Sequence, residues 1–110
     1  MRRPRPDAGD QLVRALRAGF AAFGTEACFA ERTSRDWASI TFSGSRHRLK
    51  LRLEGDKAGV AADAQLADLA EARLDLRGHM LVDLAVLLDE RDEGGTRVRL
   101  VLEALTVEAS

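Results

Sequence analysis

Tyrosine is absent from this 110-residue chain, cysteine and tryptophan occur once each, and histidine, methionine and proline twice each. A single cysteine, Cys28, excludes an intramolecular disulfide, so nothing points to an oxidising compartment. Long apolar runs are missing too. The longest in the second half, Leu84 to Leu88, falls far short of the ~20 residues that cross a bilayer. The basic start, Met1-Arg2-Arg3-Pro4-Arg5-Pro6, leads into Asp7 and Asp10 rather than an apolar stretch, so it does not read as a signal peptide. A cytoplasmic protein is the expectation. Charge of one sign is also lacking: 17 basic residues stand against 18 acidic ones, net −1, which excludes a general appetite for polyanions or polycations.

Motifs with a chemical mechanism are absent as well. There is no CxxC, no HxxxH, no paired His and Glu at helical spacing, no GxxxxGK[ST], no GxGxxG and no GxSxG. No cofactor, metal or catalytic activity is therefore expected. Cys28, His79 and Asp83 form a conceivable nucleophile, base and orienting acid, but no spacing unites them. His47 falls on an apolar strand face beside a turn, where a hydrogen-bonded rim histidine is the plainer role.

What is present is an ordinary core. Hydrophobic residues make up 45% of a chain long enough to bury roughly two-thirds of its unfolded surface. Arginine outnumbers lysine 15 to 2, a bias of GC-rich coding that points to a bacterium. Residues 1–8, with both prolines and three arginines, read as a disordered basic arm, and residues 9–110 as a single domain.

Hydrophobic spacing sets the expected elements. Leu12, Val13, Leu16, Phe20 and Phe23 mark one helix face, with Asp10 as N-cap and Gly24 as stop. Glu26 to Arg32 reads as a strand closed by a turn at Thr33-Ser34-Arg35. Trp37 to Ser43 and Arg46 to Leu53 read as a hairpin about a two-residue Gly44-Ser45 turn, which would place Trp37 opposite Arg52. Ala62, Leu66, Leu69 and Ala70 mark a second helix. Arg73 to Arg77 alternates as a short strand, and His79 to Asp89 pairs with Thr96 to Val107 across a polar loop. The expected fold is α+β, two helices packed on an antiparallel sheet, in the order α-β-β-β-α-β-β-β.

Two surfaces stand out. Arg46, Arg48, Lys50 and Arg52 project from one strand face with Trp37, a possible seat for an anion or nucleic acid. The alternative is a solvated face whose cations discourage edge-to-edge aggregation. On the last hairpin, Leu81, Ala85, Leu87, Val101, Leu105 and Val107, with Arg99, make a second apolar face that two short helices cannot also cover. That face suggests self-association; the alternative is a sheet that curls over itself. Residues 1 to 57 carry 12 basic and 7 acidic side chains, residues 58 to 110 carry 5 and 11; the positive half would meet an acidic partner or the opposite half of a second subunit, the alternative being charges on opposite surfaces of one domain. The expected function is a protein-binding domain that forms a homodimer. Nucleic-acid or anion binding is the alternative, helped by Arg2, Arg3 and Arg5, and a small hydrolase or isomerase would need an enclosed pocket around His47 or His79.

Overall fold

A computed structural model describes residues 7–71 and 76–108. The elements run α1 (Ala8–Ala21), β1 (Glu26–Ala38), β2 (Ser43–Glu54), α2 (Ala58–Ala70), β3 (His79–Arg91) and β4 (Arg97–Glu108). The four strands form one antiparallel sheet in the order β1-β2-β4-β3, so β1 and β3 are its edges. The α+β class stands as expected, but the order is α-β-β-α-β-β.

Helix α1 starts earlier than Asp10. Asp7 is its N-cap, and its carboxylate accepts the Asp10 amide N–H at 2.6 Å, satisfying a donor that the first helical turn cannot pair. Asp7 and Ala8, expected in the basic arm, thus belong to the cap and first turn of α1, and residues 1–6 lie outside the described ones. Leu12, Leu16 and Phe20 on α1, and Ala58, Ala61, Ala62 and Leu69 on α2, are buried against Leu49, Leu51, Leu53, Val98, Leu100 and Leu102. Each large side chain withdrawn from water there contributes about 2 kcal/mol relative to exposure. The two helices touch closely at Gly19, where an added Cβ would lie 2.3 Å from Gln65 Oε1.

The largest departure concerns the first hairpin. Thr33-Ser34-Arg35 is no turn: these residues pair with Arg48, His47 and Arg46 inside one continuous β1. The reversal is made by Ser39-Ile40-Thr41-Phe42, closed by the Ser39 N–H donating to Phe42 O at 2.7 Å and the Phe42 N–H donating to Ser39 Oγ at 3.1 Å. Trp37 consequently faces Gly44, and Arg52 faces Cys28. Gly44 is needed for proximity: a Cβ there would sit 2.0 Å from Thr106 O on β4. Of the short strand expected over 73–77, residues 72–75 lie outside the described ones; Leu76 makes an isolated bridge to His79, with Gly78 at φ 72° between them.

Strand β3 does not alternate throughout. Irregularities between Leu81 and Asp83 and between Val86 and Leu88 each insert a residue, and each insertion exchanges the faces that follow. Leu81, expected on the second face, is instead paired with Thr106 and buried in the core. Met80 takes the opposite face.

Candidate functional site

Both helices lie against one side of the sheet, and directly paired residues share a face, so the register arranges the other side into rows across the strands. From one end these are Trp37, Gly44, Val107, Met80; then Arg35, Arg46, Leu105, Asp83; then Thr33, Arg48, Glu103, Ala85. The next are Glu31, Lys50, Val101, Leu88 and finally Cys28, Arg52, Arg99, Glu90. Strict alternation along β2 puts Leu49, Leu51 and Leu53 inward, so the four cations of that strand do project from the uncovered side.

The face divides lengthwise. The β1–β2 side is rich in cations, while the β4–β3 side is apolar and acidic. The two sides meet at Glu103, whose carboxylate accepts from Arg46 at 3.0 Å and Arg48 at 2.9 Å. These guanidinium partners hold the Glu103 carboxyl below its ordinary range. Lys50 and Arg52 have no ion pair among the described residues. Arg52 is directly opposite Arg99, a like-charge pair offset by the Arg99 contact to Glu90 at 3.3 Å. A shallow hollow of about 390 Å³ opens among Thr33, Ser34, Arg35, Arg46, Arg48 and Glu103.

Of the proposed association residues, Ala85, Leu87, Arg99, Val101, Leu105 and Val107 remain at the surface or half-buried, whereas Leu81 does not. Sequence reasoning missed Met80, Val82 and Val86, which together with Leu87 are 45 to 55% exposed along the edge strand. All three were expected on the covered face; the irregularity at Val82 breaks the alternation that would place Met80 and Val82 there, whereas Val86 stays on that face beside Leu102 yet is exposed at the sheet edge. Phe42 and Ile40, at the tip of the first hairpin, add two more exposed apolar side chains at the Trp37–Met80 end. Trp37 itself is half-buried, and its Nε1 is enclosed with no acceptor among the described residues.

His47 is not at a rim. It is 1% exposed, with Nδ1 2.7 Å from Ser34 Oγ and Nε2 2.9 Å from Thr106 Oγ1, so it ties β1 to β4 through β2. Burial disfavours the charged ring and lowers its pKa, against the attraction of Asp7 and Asp36 and with the repulsion of Arg32 and His79. No described cavity surrounds it. Cys28, His79 and Asp83 are not brought together: Cys28 lies on one edge strand in the last row, Asp83 on the other edge in the second, and His79 beyond the first. No cluster of metal-binding side chains occurs among the described residues, and none of their helices is long and apolar enough to cross a membrane.

No family model matches this chain, and no curated protein does. Among solved structures the chain is similar to one from the virion of a native gene transfer agent (GTA) particle, at 24% sequence identity over 93% of this chain and 92% of that one. The TM-score is 0.46, too low for either fold or function to be transferred, so both rest on this chain's own geometry.

Proposed function

We propose that this chain is a protein-binding module that associates with itself through the uncovered side of its sheet and the adjoining β3 edge. The observation that carries the proposal is β3. Its unpaired backbone edge is bordered by Met80, Val82, Val86 and Leu87, each about half exposed, and the bare face beside it adds Val101, Leu105 and Val107. Natural sheets blunt such edges with charge or cover them, and an apolar edge left open is a template for another chain. The deciding experiment is the solution mass by light scattering over a range of concentrations at low and high salt. Association that persists in high salt is expected, because the apolar part of the contact is not screened. A single-chain mass at every concentration overturns the reading.

A second reading is favoured by the Arg52–Arg99 opposition. With Lys50 in the neighbouring row, three cations stand there against Glu90 and Glu31, an excess of positive charge that could seat an anionic group such as a nucleic-acid phosphate. Salt-dependent binding of single-stranded RNA, abolished by Lys50→Glu with Arg52→Glu, supports it; binding that survives both reversals removes it.

A further inference from the structure

The lengthwise division of the uncovered face restricts how two copies can meet on it. We propose that two chains pack uncovered face on uncovered face about a two-fold axis running along the strand direction, the cationic β2 of each lying over β4 of the other. This rests on the self-association reading above and adds the interface, its symmetry and its pairing.

Symmetry does most of the selection. In a two-fold interface the same patch serves both subunits, so the face must complement itself. Packed sheets keep their strands nearly aligned, which leaves the axis either across the strands or along them. An axis across the strands lays β2 on β2, setting Arg46, Arg48, Lys50 and Arg52 against four more cations. An axis along the strands reverses the strand order but holds every row at its own level. It lays β1 over β3 and β2 over β4.

The first three rows then match. In the first, Trp37 meets Met80 of the partner subunit, a sulfur–aromatic contact, and Val107 of the partner subunit lies over Gly44, which its own chain already buries. In the second, Arg35 meets Asp83 of the partner subunit. In the third, Arg48 meets Glu103 of the partner subunit, joining the ion pair each copy already holds. The fourth sets Lys50 over Val101 of the partner subunit, whose apolar surface can take the lysine stem. The fifth row opposes Arg52 to Arg99 of the partner subunit, a like-charge contact that the Arg99–Glu90 ion pair offsets in part.

The area is adequate. Four strands of 12 or 13 residues span roughly 19 by 40 Å, about 750 Å². A stable interface takes about 800 Å² from each partner.

Two experiments test the pairing. In the first, Arg35→Glu with Arg48→Glu is made in one chain, and Asp83→Arg with Glu103→Arg in another. Each variant alone sets like charges together, while a one-to-one mixture restores every cross-pair. Expected are single-chain masses for each variant, a two-chain mass for the mixture by light scattering and native mass spectrometry, and helix and sheet content unchanged by circular dichroism. Variants that stay dimeric, or a mixture that stays monomeric, overturn the pairing while the wild-type dimer stands. The second experiment needs no substitution, since Trp37 is the single tryptophan of the chain. Dilution of the wild-type protein through dissociation should shift its emission to the red as Met80 of the partner subunit withdraws. Dissociation without a shift overturns the pairing even where the variants misfold, and a wild-type protein with a single-chain mass throughout overturns self-association with it.

Discussion

Strands β1 and β3 are both edges of one sheet and both 13 residues long, yet they meet solvent in opposite ways. β1 carries an unbroken polar run from Glu31 to Asp36, within which Arg32 turns inward to pair with Asp10 of α1 and, at 3.6 Å, with its N-cap Asp7. It is blunted as natural edges are. Of the first ten residues of β3, only His79 and Asp83 are polar, and the ion pairs of Arg91 with Asp63 and Asp89 come only at its far end. One edge is finished by its own chain; the other leaves apolar surface that needs a cover. The contrast shows that burial of the core and completion of the surface are separate problems, and this fold solves the second on one side only.

The seam joining the two halves offers the strongest way to break that contrast. Gly44→Val puts a side chain into Thr106 O, so β2 and β4 must separate at the Trp37–Met80 end, costing about 3 kcal/mol. Urea unfolding reads the loss; an unchanged midpoint would mean that the strands are not so closely apposed there. Acidification should act next. The neutral His47 ring is favoured in the fold, so its contribution is complete above the ordinary value of 6.5 and is lost as the pH falls through 6.5 towards the lower folded pKa, because the unfolded chain takes the proton first. Stability should decline from pH 7.5 to 5.5, and His47→Gln should flatten that decline.

Smaller effects sharpen the comparison at the edges themselves. Arg32→Ala removes the tie between β1 and α1 and should cost up to about 1 kcal/mol at low salt, shrinking as salt is added. The two edges part most clearly under a matched pair, Leu87→Lys on β3 and Thr33→Lys on β1. Each should change monomer stability by less than about 0.5 kcal/mol. Only the first should raise the solubility limit and suppress any assembly that extends beyond two chains, as read by light scattering at high concentration; an equal effect from both would erase the distinction between the edges.

Much of the fold was legible because its elements follow simple periods. Leu12, Leu16 and Phe20 recur at helical spacing, and Leu49, Leu51 and Leu53 alternate with cations, so α1 and the orientation of β2 could be read directly. Gly44 misled because glycine serves both tight turns and close strand contacts, and only the proximity of Thr106 tells which is at work. Thr33-Ser34-Arg35 looked like a turn because its polar side chains have their partners on β2 and at the surface rather than in the local sequence. Leu81 and Met80 exchanged places because a bulge reverses alternation without leaving a mark in composition.

By itself the sequence determined the class of fold, the cationic face of β2 and the lack of a disulfide framework, since these depend on residue type and local period. Tertiary structure decided the strand order, the row that brings Trp37, Gly44, Val107 and Met80 together, and which edge is left apolar. Those features arise from pairings between residues as far as 63 positions apart, such as Gly44 and Val107, which no local pattern encodes. The pairing of β2 with β4 satisfies backbone hydrogen bonds that neither strand could satisfy alone, and in doing so it sets the cations of β2 beside the mostly apolar outer column of β4.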